Sequence, residues 1–272
     1  MKKIIATFDI NSISDSVKFY SLQLAQILPA HLSAIFFESP ASFEKNIPEL
    51  ATVPKQKLIG KNKESKALSG LLTEFEQSCQ YAKVTYSTHH DRFFAVSELL
   101  QKSIYSDLII ISASDAFYTE PSSKLFLRHL FAEIQCPILI VPGTYTPIEN
   151  VTLLYDGKPL SVYAIKMFDC LFGHTQFLTP EILTVKNSDV DKNVPNSKLM
   201  KDFIKRHFPE AIYNVLHGNA EVAIPEYLKK QPASTMVVLG NHQRNAIMGL
   251  FNEGIADTLI RSIKLPLLII NR

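Results

Sequence analysis

Two aspartates occupy equivalent places in the chain, each at the end of an apolar run. Asp9 ends the segment KIIATFD, and Asp156 ends the segment TLLYD 147 positions later. A carboxylate at the tip of a strand either accepts hydrogen bonds from a ligand or fixes the turn and caps the following helix. The sequence alone leaves both interpretations open.

A glycine-containing segment near the end of the chain is the second group with a chemical signature. It reads GNHQRNAIMGLFNEG and runs from Gly240 through Gly249 to Gly254. Glycines let a backbone approach phosphate groups, and the N–H groups at a helix start supply positive potential. The matching stretch of the first half, from Ser112 onward, has no glycine and carries two acidic residues. We therefore expect any anion site only in the second half.

The candidate ligand-binding residues combine the second aspartate with the glycine segment. They are Asp156, Gly157, Gly240, Asn241, His242, Gly249 and Gly254. Asp9 and Ser112 form a degenerate counterpart in the first half. The chain has no Ser-His-Asp set, CxxC pair, HExxH motif or Walker-type loop, so we predict no catalytic residues and no enzyme. A weak ATPase in the second half is the alternative.

Two histidine positions deserve separate treatment. His89 and His90 precede Asp91, and we expect them in a solvated loop just after the third strand. Adjacent histidines of a strand point to opposite faces and no second ligand pair follows, so we predict no metal site. His217 holds the matching place in the second half, where it either faces a ligand pocket or belongs to a turn made by Gly218.

A repeated order of elements must position these residues. After each aspartate-tipped strand comes an amphipathic helical pattern, and later a fully apolar run: DLIIIS from Asp107 and TMVVLGN from Thr235. Each half ends in a proline-led strand, PILIVP from Pro137 and PLLIIN from Pro266. Alternating strands and helices predict a parallel sheet covered by helices on both faces, with ligands beyond the carboxyl ends of the strands.

The spacing of the repeat sets the predicted domain boundaries. The first strands are 147 positions apart but the last strands only 129, so the first half carries about 18 extra residues. A stretch with three prolines and no clear period, about 39–61, accommodates them. We predict an α/β protein of two tandem doubly wound parallel five-stranded sheets: domain 1 at 1–142, a linker at 143–150 and domain 2 at 151–272.

Composition narrows the class of protein. Hydrophobic residues make up 46% of the chain and the formal net charge is only +2, so neither a membrane span nor a basic nucleic-acid surface is predicted. Three cysteines, far apart and outside any CxxC pair, fit buried thiols in a reducing compartment. We therefore expect a cytoplasmic protein.

At these residues the chain resembles the universal stress protein family. The family's first strand ends in an aspartate, as at Asp9 and Asp156, and its third strand is often followed by a glycine, as at Gly218. Its last strand is commonly proline-led, as at Pro137 and Pro266. The resemblance implies an adenine-nucleotide alpha-hydrolase-like, flavodoxin-like layering, in which the aspartate contacts the adenine or ribose of a bound nucleotide.

The glycine segment departs from the family's ATP-binding motif, Gly-x2-Gly-x9-Gly-Ser/Thr. Gly240 matches the first position, but the second falls on Gln243, the third on Glu253 and the hydroxyl position on Gly254. The chain therefore resembles the branch of the family that does not bind nucleotides. No cofactor is expected, and ATP or AMP is an alternative for domain 2 alone.

The resemblance also implies a role and partners. We expect a non-catalytic stress-response protein that acts by association with proteins not identified by the sequence, with a small-anion sensor in domain 2 as the alternative. The two halves are expected to form an internal pseudo-dimer. Because the last strands are apolar and expected at sheet edges, a homodimer through them is a further prediction.

Overall fold

The structure is a computed structural model, and it describes most of the chain. The described residues are 1–10, 14–37, 64–91, 96–113, 131, 133–173, 180–187, 193–241 and 255–271. The predicted insertion at about 39–61 lies outside them, as do the candidate residues His242, Gly249 and Gly254. Within the described ranges the chain forms ten strands and seven helices.

The chain divides into two compact units, Met1–Ile134 and Gln135–Arg272. The first unit contains parallel strands in the order β3-β2-β1-β4. Its strands are β1 (Lys2–Asp9), β2 (Ala30–Phe37), β3 (Tyr86–Asp91) and β4 (Leu108–Ser112), and its helices are α1 (Asp15–Ile27), α2 (Glu64–Tyr81) and α3 (Val96–Ser103).

The second unit repeats this order and extends it. Its strands are β5 (Ile138–Val141), β6 (Asn150–Leu154), β7 (Pro180–Lys186), β8 (Ile212–His217), β9 (Thr235–Asn241) and β10 (Leu267–Asn271). Its helices are α4 (Pro159–Phe172), α5 (Ser197–His207), α6 (Ala220–Leu228) and α7 (Ile255–Ser262). The sheet order is β5-β10-β9-β6-β7-β8, in which β5 alone is antiparallel to its neighbour β10.

The predicted α/β class with parallel, doubly wound sheets is confirmed. The second unit holds the five parallel strands that we expected of a half, and the β8-β7-β6-β9 order repeats the β3-β2-β1-β4 order of the first unit. The difference concerns β5, which the sequence repeat assigns to the first half. By its contacts this strand belongs to the second unit, where it lies beside β10.

The pairing of β5 with β10 joins equivalent positions of the repeat. Leu139 lies opposite Leu268, and these residues are 129 positions apart, the same spacing that separates Pro137 from Pro266. Because β10 also pairs with β9, it has a neighbour on both sides. The prediction that both last strands lie at open edges is therefore wrong for β10. Its apolar edge is covered by its own counterpart.

The central strands form the core, and the helices pack on them through regular apolar stripes. In α1 the side chain of Ser14 caps the helix by accepting from the backbone N–H of Val17, and Val17, Tyr20 and Leu24 are buried. This is the amphipathic helix that the sequence predicts after the first strand. Residues 108–110 of β4 are fully buried as well, as expected of a strand covered on both faces.

The prediction that His89 and His90 lie in a loop is wrong. Both histidines and Asp91 belong to β3, where they pair in parallel with Ile35–Phe37 of β2. Both histidines are exposed, because β3 is the outermost strand of its sheet. Polar residues such as these are typical of loops, which is why the sequence predicts one. A strand forms here nevertheless, because strand pairing uses backbone groups and not side chains.

Candidate functional site

Asp156 lies where the sequence places it, at the carboxyl end of the second unit's sheet. Leu153 is opposite Val238, so Asp156 and Asn241 are each three residues further along neighbouring parallel strands and lie at the same end. The first unit repeats the arrangement. There Ala6 is opposite Ile110, which puts Asp9 and Ser112 at a shared end.

The Asp156 carboxylate is used by its own turn. Its Oδ1 accepts a hydrogen bond from the backbone N–H of Lys158 at 2.9 Å, and its Oδ2 lies 3.4 Å from the Lys158 ammonium. Partial burial acts to raise the pKa of Asp156, but hydrogen bonds from the Lys158 backbone and the Ser161 side chain, together with the Lys158 charge, outweigh it and hold the pKa below its ordinary value. The carboxylate thus fixes the turn between β6 and α4.

Gly157 is required by both conformation and packing. Its φ is +83°, a left-handed conformation that residues with a side chain rarely adopt. A Cβ at this position would also lie only 2.6 Å from Cβ of Pro195, in the segment between β7 and α5. The carbonyl of Gly157 accepts a hydrogen bond from the Asn196 side chain at 3.4 Å. This glycine joins the turn after β6 to the neighbouring segment.

Gly240 permits close packing of a helix on the sheet. A Cβ on this residue of β9 would lie 2.7 Å from Cγ and 2.9 Å from the carbonyl oxygen of Leu160, in the first turn of α4. Leu160, of the helix that follows Asp156, therefore occupies the space beside Gly240.

Asn241 forms an amide pair with the last described residue of β10. Its Nδ2 donates to Oδ1 of Asn271 at 3.1 Å, and the two residues are in register on neighbouring strands. The Nδ2 of Asn271 is buried and has no hydrogen-bond partner among the described residues. This amide is therefore a donor without an acceptor at the carboxyl end of the sheet.

The first-unit counterpart is built differently. Asp9 is the last residue of β1 and is only 7% exposed, whereas Asp156 is exposed beyond the end of its strand. The cap of the following helix is supplied by Ser14 and not by Asp9. Ser112 ends β4 and is half-buried. The two aspartates thus share their position in the fold but differ in exposure.

A separate cavity lies between α5 and β8. Its volume is about 360 Å³, and among the described residues it is lined by Asn193, Val194, Lys201, Tyr213, Val215 and His217. The structure thus places His217 at a pocket, one of the two alternatives that the sequence left open. Gly218 also makes the predicted turn, with φ of +113°. Sequence reasoning missed the other lining residues.

The described residues offer no metal site and no membrane span. No group of three His, Cys, Asp or Glu side chains in this part of the chain is arranged to hold a metal ion. None of the described helices combines the length and the apolar character that crossing a membrane requires.

Comparison with known proteins identifies the fold. No protein-family model matches the chain, and no curated protein matches its sequence. A universal stress protein from Archaeoglobus fulgidus DSM 4304 superposes with a TM-score of 0.70 and 14% identity, over 99% of this chain and 96% of that chain. The chain has the universal stress protein fold.

Two structures from Pseudomonas aeruginosa share this fold over the full length of the chain. A putative universal stress protein from strain UCBPP-PA14 has a TM-score of 0.61 and 15% identity, covering 100% of this chain and 93% of that one. A protein of unknown function from strain PAO1 has a TM-score of 0.60 and 14% identity, covering 100% and 92%. The universal stress protein fold therefore accounts for both units together.

Proposed function

We propose that this chain is a tandem universal stress protein that acts by association with other proteins and not by catalysis. The observation that carries the proposal is the use made of Asp156 and Gly240. Both stand at positions where a nucleotide-binding member of the family would contact its ligand, and both are occupied by contacts within the protein.

Asp156 supports the proposal through its hydrogen bonds. A ligand hydroxyl at this carboxylate would compete with the Lys158 backbone N–H, which lies 2.9 Å from Oδ1. A ligand that took this bond would remove a contact that fixes the turn, so the carboxylate already has a use within the protein.

Gly240 supports the proposal because the space beside it is already filled. The volume that the missing side chain leaves is filled by Leu160, whose carbonyl oxygen lies 2.9 Å from an added Cβ. The loss of the family's second glycine to Gln243 and the presence of Glu253 act in the same direction.

The tandem architecture is proposed to form an internal pseudo-dimer in the cytoplasm. Antiparallel pairing of Leu139 with Leu268 joins the same position of the two last strands, as the pairing of two identical chains would. A homodimer of the whole chain would need a surface other than the β10 edge. The protein partners of this pseudo-dimer would be identified by their binding to the whole chain.

Calorimetric titration of the whole chain with ATP and with AMP tests the proposal. We expect no saturable binding at micromolar nucleotide. The matched variant is Asp156→Asn, because the asparagine Oδ1 still accepts from the Lys158 N–H while the charge is lost. Micromolar ATP binding by the wild type would overturn the proposal, and its change in Asp156→Asn would place the nucleotide at this strand tip.

Light scattering during size-exclusion chromatography tests the self-contained pseudo-dimer. We expect the mass of one chain, 30.6 kDa. Twice that mass would show that two chains form a dimer, and would contradict the self-contained pseudo-dimer. The contact between the chains would then be sought on the exposed surfaces of the two units.

A small-anion sensor in the second unit is the second candidate function. The buried Nδ2 of Asn271, without an acceptor among the described residues, is the observation that favours it. An anion near Asn241 and Asn271 would supply that acceptor. Phosphate or AMP binding that is lost in Asn271→Leu and retained in Asp156→Asn would support the sensor against the association model.

A further inference from the structure

We propose that the cavity between α5 and β8 binds a small organic anion, a carboxylate or phosphate monoester that carries an apolar group. The site shares no described residue with the strand tips at Asp156 and Gly240. The inference therefore goes beyond the proposed function and does not depend on it.

The size and apolar surface of the cavity fit a small molecule. Its volume of about 360 Å³ lies at the low end of the range of ligand pockets, which favours a ligand smaller than a nucleoside triphosphate. Val194 is buried and Val215 is half-buried, so both present methyl groups to the cavity. The ring of Tyr213 adds an aromatic wall and is 37% exposed. An apolar ligand group would be removed from water at these three side chains.

The polar lining carries a positive charge and, among the described residues, no carboxylate. Lys201 supplies the ammonium. Tyr213 brings a hydroxyl that is neutral and able to donate at neutral pH, and burial raises its pKa further. Asn193 and His217 also line the cavity, and both already interact with other groups of the protein. A cation and a hydroxyl donor beside one space complement an anionic group.

Lys201 is the cation available for that role. It forms no ion pair with any described carboxylate, whereas Arg206 of the same helix pairs with Asp202 at 2.9 Å. A lysine whose charge is not neutralised by the protein retains its attraction for a ligand anion. The buried residues of α5, Met200 and Ile204, hold the helix against the sheet and so fix the backbone next to Lys201.

The strand places the other lining residues by alternation. Tyr213, Val215 and His217 occupy every second position of β8 and share one face. Asn214 points to the other face, where its Nδ2 donates to Glu181 at 3.1 Å. The core contact of Asn214 thus keeps its neighbours directed toward α5.

Titration of the whole chain by methyl NMR tests the proposal, with valine methyl labels as the readout. The probes are benzoate and phenyl phosphate, with benzamide as the neutral counterpart of benzoate and benzylamine as a cation. We expect both anions to shift the methyl signals of Val194 and Val215 and to leave those of Val151 and Val237, inside the sheet, unchanged. The two anions also distinguish carboxylate from phosphate recognition.

Paired lysine variants locate the charge. We expect Lys201→Met to weaken benzoate binding about tenfold, the effect of one charge-assisted contact. Lys198→Met, on the same helix but outside the described lining, should leave it unchanged. Tyr213→Leu is a second variant that removes the aromatic wall and should weaken both anions.

Four results would overturn the inference. They are equal affinity for benzoate and benzamide, tighter binding of benzylamine, equal losses in Lys201→Met and Lys198→Met, and the absence of any binding at millimolar probe. Shifts confined to Val151 and Val237 would assign the anions to the interior strands and would also contradict it.

Discussion

At the scale of single residues, Glu181 in β7 is a buried carboxylate that accepts hydrogen bonds from three side chains. It is 9% exposed, accepts from Thr152 at 3.1 Å on Oε2, and accepts from Asn214 and the Tyr227 hydroxyl on Oε1. Burial and this hydrogen bond raise the pKa of Tyr227. The donors come from β6, β8 and α6, so the buried charge holds three elements around β7.

We expect Tyr227→Phe to lower the free energy of unfolding by about 1–2 kcal/mol, because it removes a donor from a buried carboxylate. The matched control is Tyr213→Phe, at a residue that lines the α5–β8 cavity; we expect a change within about 0.5 kcal/mol. Urea unfolding of the two variants measures the difference. Equal losses would show that the Glu181 contacts add no specific stability.

His31 in β2 makes the stability of the first unit depend on pH. Burial, followed by the nearby charges of Lys3 and His89, lowers the pKa of His31 below 6.5, and its Nε2 lies 3.1 Å from the Ser87 hydroxyl. The unfolded chain therefore binds the proton more readily than the folded chain. Stability from this group is present above pH 6.5 and is lost as the pH falls below that value.

The variant His31→Gln removes this titration and keeps a polar side chain that can reach Ser87. We expect wild-type unfolding free energy to fall more than that of the variant between about pH 8 and about pH 5. Urea unfolding at several pH values measures both curves, and the value at the higher pH serves as the internal reference. Parallel curves would contradict the assignment.

At the scale of elements, α4 is fitted to the sheet by two glycines. Gly240 lets the first turn of α4 approach β9 at Leu160, and Gly157 lets the turn before it contact Pro195. Glycine is the sequence signature both of a phosphate site and of close helix packing. Which of the two a glycine serves depends on the atoms that an added Cβ would contact.

We expect Gly240→Ala to destabilise the protein by about 1–3 kcal/mol, because the added methyl would contact the Leu160 backbone and force a shift. Gly70→Ala is the control. Gly70 lies in α2 with no atom within 4 Å of an added Cβ, and alanine there should stabilise the helix by about 0.5–1 kcal/mol. Thermal or urea unfolding of both variants decides the matter, and a neutral Gly240→Ala would reject the packing role.

At the scale of the whole molecule, the compact units do not begin where the sequence repeat begins. The second unit starts at Gln135 and includes β5, whereas the predicted domain 2 starts at 151. The repeat boundary remains a prediction about the order of motifs. The unit boundary follows the pairing of β5 with β10.

Removal of β5 tests the importance of that pairing. We expect residues 151–272 to self-associate, because the apolar edge of β10 is then exposed, whereas the whole chain should give the mass of one chain. Light scattering measures both masses, and circular dichroism reports whether the fragment is folded. A folded, monomeric fragment would show that β5 is not needed to cover β10.

The sequence by itself determined the order and the type of most elements. The run Thr235–Asn241 forms β9 with the predicted bounds, and the apolar run from Asp107 corresponds to β4. The aspartates at 9 and 156 end or follow the first strands of the repeat as expected. These features are local, since the spacing of apolar residues reports directly which faces are buried.

Only the tertiary structure decided how the residues are used. It placed His89 within a strand, paired β5 with β10, put Leu160 against Gly240 and left a cavity beside His217. Each of these depends on atoms far apart in the sequence, such as Leu139 and Leu268. A period of apolar residues specifies a face but not the partner that covers it, and the partner determines whether an aspartate or a glycine serves a turn, a helix or a ligand.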